Sequence, residues 1–140
     1  MIHGPAELSQ TEYLSQPTQA DILDASEETY ARLAAVYKRD IGVAHRDGLC
    51  DPASRFMVRF LGEKGHQAAR VPRSMPVLHF YVDLASEVDE GERVLVDPTW
   101  QQFLDEAAVD PQMPKVLMGV RDEIVAAARG HGVPGRFLDL

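Results

Sequence analysis

The chain has 140 residues, 45% of them hydrophobic, which fits one domain with a single core and leaves too little sequence for a second. Its formal net charge of −8 argues against affinity for nucleic acid or anionic membranes, because both need clustered lysine and arginine. No apolar run approaches the roughly 20 residues that span a bilayer, and the N-terminus lacks the pattern of a secretion signal. We therefore expect a single cytoplasmic domain over residues 1–140, with no nucleic-acid or membrane partner.

Two helices are predicted in the first half of the chain. Residues 1–20 are polar and predict an arm that is ordered only by docking. Asp24 and Ser26 then precede a helix whose apolar residues recur with helical spacing as far as Ile41-Gly42. A second helix is predicted to start at Asp51-Pro52, because aspartate is a preferred N-cap and proline is favoured at the first helical position.

The only cysteine of the chain, Cys50, immediately precedes this second helix start. A sulfur at the positive end of a helix has a pKa below the ordinary thiol value of about 8.5, which favours the nucleophilic thiolate. Cys50 is therefore a candidate nucleophile. The competing interpretation is a small, buried and unreactive residue, since free cysteines are among the most buried side chains.

A hairpin is predicted to carry His79 and Asp97. Residues 77–84 and 92–97 alternate in polarity as strands do, and a turn-rich stretch separates them. His79 falls on the less apolar face, which predicts that it faces a cleft or solvent. A hairpin centred on Val88 pairs His79 directly with Asp97, so that the carboxylate could hold the ring in one tautomer, whereas a slip of one residue would separate the two faces.

Three further elements complete the predicted fold. Trp100, Phe103 and Leu104 predict a short turn or helix that covers one side of the sheet, residues 115–120 a third strand, and residues 122–129 a last helix. Residues 132–140 are expected to form a tail. The predicted class is α+β, with helices packed on a small antiparallel sheet and the cysteine at a helix N-terminus.

The segment from about Cys50 to Phe103 resembles the transglutaminase-like superfamily, whose cysteine enzymes share the architecture of papain. The matching pieces are Cys50-Asp51-Pro52-Ala53, Leu61 to Gly65 with Ala69-Arg70-Val71, His79-Phe80-Tyr81-Val82 and Val96-Asp97-Pro98-Thr99-Trp100. By this resemblance Cys50 is the nucleophile, His79 the general base and acid, and Asp97 the carboxylate that orients the ring. The papain-type glutamine six residues before the cysteine is absent, since position 44 is alanine, so the second donor of the oxyanion hole has no candidate.

The resemblance implies covalent acyl transfer without a cofactor. The thiolate attacks an amide, ester or thioester of a small-molecule, peptide or carrier-bound substrate, and the acyl group passes to water or to an amine. Four residues are candidates for substrate binding: Tyr81 and Trp100 as pocket walls, and Arg70 and Arg73 as partners of a carboxylate or phosphate. The competing role of Tyr81 and Trp100 is packing in the core. The competing interpretation of Arg70 and Arg73 is that they are solvated charges on an exposed loop.

Two alternatives to the enzyme stay open. One is a binding module that keeps the fold without catalysis. The other, which the residues favour less, is a metal site formed by Cys50, His79 and Asp97, because the sequence lacks the close Cys-x-x-Cys or His-x-x-x-His spacing typical of zinc. No motif in the sequence identifies the substrate or the oligomeric state.

Overall fold

The computed structural model describes residues 11–37, 49–73, 79–104 and 112–133. Within these ranges three helices pack on a four-stranded antiparallel sheet, which confirms the α+β class. The elements in chain order are α1 (Gln16–Tyr37), α2 (Cys50–Glu63), β1 (Ala68–Arg73), β2 (His79–Ala85), β3 (Arg93–Asp97), β4 (Leu117–Gly119) and α3 (Arg121–Gly130). A short 3-10 helix, Trp100–Phe103, lies between β3 and β4.

The first helix begins earlier than the sequence predicts. Helix α1 starts at Gln16, so the polar arm predicted for residues 1–20 does not extend past Ser15. Two local contacts explain the difference. The hydroxyl of Ser15 accepts a hydrogen bond from the Thr18 N–H at 3.3 Å and so caps the helix, and the buried Gln19 amide donates to the carbonyl of Leu14 at 2.8 Å. Residues 1–10, the predicted helix end at Ile41-Gly42, and residues 134–140 lie outside the described residues.

The sheet is a meander in which each strand pairs with the next one along the chain. Both of its faces are covered. Helices α1 and α2 pack on the face that carries Val82, Leu84, Val94 and Val96, and together they form one core cluster. Helix α3 and the 3-10 helix cover the opposite face, where Tyr81, Leu95 and Leu117 lie in a second cluster.

Because helices cover both faces of the sheet, the prediction that His79 faces a cleft or solvent is wrong. The alternation along β2 is as predicted, but the second face is also apolar and is packed against α3 rather than open. His79 is consequently fully buried, at 0% exposure. Within the part of the chain that the structure describes, no helix is both long and apolar enough to cross a membrane.

The junction of α2 with the sheet should dominate stability. Leu61 is fully buried in the first core cluster, and Leu61→Ala should lower the free energy of unfolding by about 2–5 kcal/mol because it removes buried methyl groups and leaves a cavity. Val88→Ala is the matched control, since Val88 is 67% exposed and its truncation should change stability by no more than about 0.5 kcal/mol. Urea unfolding measures both. Equal losses in the two variants would contradict this description of the core.

Candidate active site

Cys50 is the first residue of α2, so the sulfur is at the positive end of a helix of 14 residues. The helix begins before the predicted start: Leu49 occupies the N-cap position, and its carbonyl accepts the Ala53 N–H at 2.9 Å. Asp51, the predicted N-cap, therefore lies inside the first turn together with Pro52. The backbone N–H groups of Cys50 and Asp51 belong to the first turn, where a helix offers them no carbonyl partner.

Arg70 fixes this first turn to the sheet. Its guanidinium forms an ion pair with the Asp51 carboxylate, and its Nε donates to the Ser54 hydroxyl at 3.0 Å. The same group lies 3.9 Å from the centroid of the Phe80 ring, a cation–π contact with the strand that begins at His79. Arg70 was predicted to bind substrate; in the structure its donors are directed to α2, and substrate binding by Arg70 stays a prediction.

His79 and Asp97 form a buried hydrogen bond. The ring Nε2 lies 2.7 Å from Asp97 Oδ2, and the two residues are 0% and 1% exposed. The other carboxylate oxygen, Oδ1, accepts the backbone N–H of Thr99 at 3.0 Å. An ionised carboxylate can only accept, so the hydrogen in the bond between Asp97 and the ring belongs to Nε2, and Nδ1 is the ring nitrogen that Asp97 leaves available to other partners.

The pairing register of the hairpin differs from the predicted one by two residues. Val82 pairs with Val96, whereas a hairpin centred on Val88 pairs Val82 with Val94. His79 and Asp97 are therefore diagonal neighbours instead of directly opposite. Because side chains alternate with a period of two, this shift keeps both residues on the same face, and the predicted contact forms all the same.

The Cys50 thiol and the His79 ring are neighbours, and each shifts the pKa of the other. Burial acts to raise the pKa of Cys50, but the bond to His79, a backbone hydrogen bond from Phe80 and the charge of the ring together lower it below its ordinary value. Burial also acts to lower the pKa of His79, and the neighbouring Asp97 carboxylate together with Cys50 raises it to about 9. The two directions favour a thiolate paired with an imidazolium.

Three residues that the sequence analysis did not assign to the site lie around this pair. The Gln102 amide nitrogen is 2.9 Å from His79 Nδ1, and the Phe103 ring packs edge-on against the imidazole with centroids 4.8 Å apart. Tyr30, from α1, donates its hydroxyl to the carbonyl of Pro98, directly after Asp97. The chain after Asp97-Pro98-Thr99 does signal a short helix, but its residue types do not show which side chain turns toward the histidine.

The other predicted substrate-binding residues are placed as follows. Trp100 is fully buried and its indole N–H donates to the carbonyl of Pro114 at 3.0 Å. Tyr81 is 7% exposed, with its ring centroid 6.2 Å from that of His79. Arg73 ends β1 and pairs in register with His79, and its side chain lies outside the described part of the structure. Contact of these residues with a substrate stays a prediction.

Among residues 11–37, 49–73, 79–104 and 112–133, no three histidine, cysteine or acidic side chains are arranged to hold a metal ion. No protein-family model matches the chain, and no curated protein or solved structure is significantly similar to it. The arrangement of Cys50, His79 and Asp97 therefore has to be interpreted from its own geometry.

Alkylation of Cys50 by iodoacetamide should persist at mildly acidic pH, because the thiol ionises below its ordinary range. Removing the hydrogen bond and charge of the ring in His79→Ala should slow the reaction at pH 6 on the order of tenfold or more, one pKa unit being a tenfold change in thiolate at acidic pH. The urea-unfolded chain, which has a single cysteine, supplies the ordinary thiol as a control. A folded protein that reacts no faster than the unfolded one would contradict this electrostatic arrangement.

The His79–Asp97 bond should also make stability depend on pH. The folded ring binds its proton more tightly than the ordinary ring, with a pKa of about 9 against 6.5, so the stabilisation is fully present below about pH 6.5 and is lost as the pH rises toward 9. The measurement is urea unfolding of Cys50→Ala, in which no thiol titrates, against Cys50→Ala with His79→Gln. The difference in unfolding free energy should shrink as the pH rises above about 6.5, and the loss should be complete at a lower pH than in wild type because Cys50 contributes to the value of about 9. A difference that is constant with pH would contradict the assignment.

Proposed function

We propose that this protein is a cysteine-dependent acyl-transfer enzyme with a Cys50-His79-Asp97 triad and the architecture of the transglutaminase-like superfamily. The observation that carries the proposal is the buried His79 ring, whose Nε2 lies 2.7 Å from Asp97 Oδ2 and whose pKa is raised in part by the neighbouring thiol of Cys50 at a helix N-terminus. Nucleophile, base and orienting group are thus in consecutive contact, as covalent catalysis requires.

The order of the elements supports the same proposal. A helix that begins with the cysteine packs on β1 and β2, the histidine is the first residue of β2, and the aspartate is the last residue of the adjacent antiparallel strand β3. This is the order that the resemblance implies for the superfamily. It brings the three groups together from different elements, so their meeting is a property of the tertiary fold.

The proposed reaction proceeds in two halves. The Cys50 thiolate forms a bond to the carbonyl carbon of an amide, ester or thioester, while the N–H groups of the first turn of α2 are available to the developing oxyanion. The bond to the leaving group breaks as the imidazolium of His79 gives it a proton. In the second half His79 takes a proton from water or an amine, which attacks the acyl-thioenzyme and releases the acyl product and the thiolate.

The burial of the site favours a slender acyl group. Cys50 is 7% exposed and His79 is covered completely, which leaves little space for a bulky group beside the pair. Small-molecule, peptide and carrier-bound acyl groups all present such a carbonyl on a narrow chain. We expect the protein to act in the cytoplasm without a cofactor.

The same burial favours a second candidate function, a binding module that keeps the fold without catalysis. A fully covered histidine and a nearly covered cysteine also suit a structural polar network within a core, where every group is satisfied by a neighbour. The two functions differ in whether a covalent bond forms at the sulfur.

Incubation with activated esters and thioesters should add the mass of one acyl group to the intact protein, and Cys50→Ala should gain none. Asp97→Asn should slow the acylation on the order of 10²–10⁴-fold, because an amide in place of the carboxylate no longer requires hydrogen on Nε2 or supports the imidazolium. Intact-mass spectrometry over time measures both. Circular dichroism checks that the variants are folded. Acylation that is independent of Cys50, or none at all with these probes, would favour the binding module.

A further inference from the structure

The side chain of Gln102 contacts two residues of the site, His79 and Thr99. Its Nε2 lies 2.9 Å from His79 Nδ1 and 3.2 Å from the hydroxyl of Thr99. Thr99 in turn is bonded through its N–H to Asp97 Oδ1. These four residues form a cyclic hydrogen-bond network. Asp97 contacts the His79 ring, the ring contacts Gln102, Gln102 contacts Thr99, and Thr99 contacts Asp97.

The protonation of the ring decides which end of the amide fits this position. When Nδ1 has no hydrogen it can accept from the Gln102 amide nitrogen, which lies 2.9 Å away. When Nδ1 is protonated it needs an acceptor, and a half-turn of the amide would present Oε1 in the same place. The Thr99 hydroxyl can accept from the amide nitrogen in the first state and donate to the amide oxygen in the second, so His79 Nδ1 and the Thr99 hydroxyl are paired in both states.

We propose that Gln102 is a positioning residue that pairs with His79 Nδ1 in both of its protonation states by exchanging the nitrogen and the oxygen of its amide. This inference rests on the proposed function, because Nδ1 is the nitrogen that exchanges a proton with the Cys50 sulfur. The ring can then gain and lose that proton without losing a hydrogen-bond partner. Gln102 thereby supports the ring at the nitrogen where the reaction occurs, as Asp97 does at the other nitrogen.

Other titratable groups face the ring and are accounted for in the test. They are Cys50 from α2, Asp97 from β3 and Tyr81 from the same strand as His79, while Tyr30 from α1 reaches the Asp97 side of the site. Replacing Cys50 by alanine removes the thiol that raises the pKa of the ring. The effect of Gln102 can then be measured without acyl transfer.

The test is nuclear magnetic resonance of the full chain labelled with ¹⁵N in its glutamine and histidine side chains, in wild type and in Cys50→Ala. The signal of the Gln102 amide, identified by its disappearance in Gln102→Met, should shift with the same midpoint as the ring nitrogens of His79. The amide proton should be hydrogen-bonded on the alkaline side of that midpoint and released on the acidic side. The exposed Gln67 is the matched control and should not shift.

Two substitutions separate positioning from simple packing. Gln102→Glu can only accept when ionised, so it should move the His79 titration to higher pH by about one unit or more, whereas Gln102→Met, which keeps the side-chain length without either group, should move it less. A Gln102 amide that stays unchanged while His79 titrates, or equal midpoints in the Glu and Met variants, would overturn the inference. A coupled titration together with no acylation at Cys50 would overturn the proposed function and leave the pairing of Gln102 with His79 standing.

Discussion

The rest of the site depends on one buried hydrogen bond, that between His79 Nε2 and Asp97 Oδ2. A carboxylate that is 1% exposed costs several kcal/mol to remove from water unless its oxygens are paired, and here Oδ2 pairs with the ring and Oδ1 with the backbone of Thr99. The bond determines which ring nitrogen carries hydrogen in the neutral state. It also holds the ring plane, so the orientation of the ring depends on a residue three elements further along the chain than the cysteine.

The fold holds this bond from both sides. Helix α2 is tied to the strands by the contacts of Arg70 with Asp51, Ser54 and the Phe80 ring, which keeps the start of the helix near His79. On the other side Tyr30 holds the carbonyl of Pro98, and Phe103 covers the ring. The low polarity of such a covered site strengthens the attraction between a thiolate and an imidazolium. The lowered pKa of Cys50 and the raised pKa of His79 are the two expressions of that attraction.

Local patterns in the sequence were sufficient for the class of fold, the helix start near Cys50 and the contact between His79 and Asp97. The contact was predicted with the wrong register, and it forms because an even shift preserves the face of a strand. The burial of His79 was not predictable from its own strand. It depends on α3 and on the 3-10 helix, whose packing against the second face is a tertiary property.

The contacts of Gln102 and Tyr30 in the site were likewise not predictable from the local sequence. Both are ordinary members of helical segments when viewed locally. Tyr30 lies in the apolar pattern of α1, and only the packing of α1 beside the turn after Asp97 gives its hydroxyl a role there. Arg70 shows the opposite case: its charge suggested a substrate contact, and the structure directs its donors to the first turn of α2.

Most directly testable is the electrostatic pairing of Cys50 with His79, which lowers the pKa of the thiol below its ordinary value and raises that of the ring. The most direct measurement is the ultraviolet absorbance of the thiolate as a function of pH in wild type, His79→Ala and Cys50→Ala, the last giving the background from tyrosine. We predict that thiolate absorbance appears at a lower pH in the wild type than in His79→Ala, because the ring lowers the pKa of the thiol. Absorbance that appears in both proteins only at the ordinary thiol pKa of about 8.5 would contradict it.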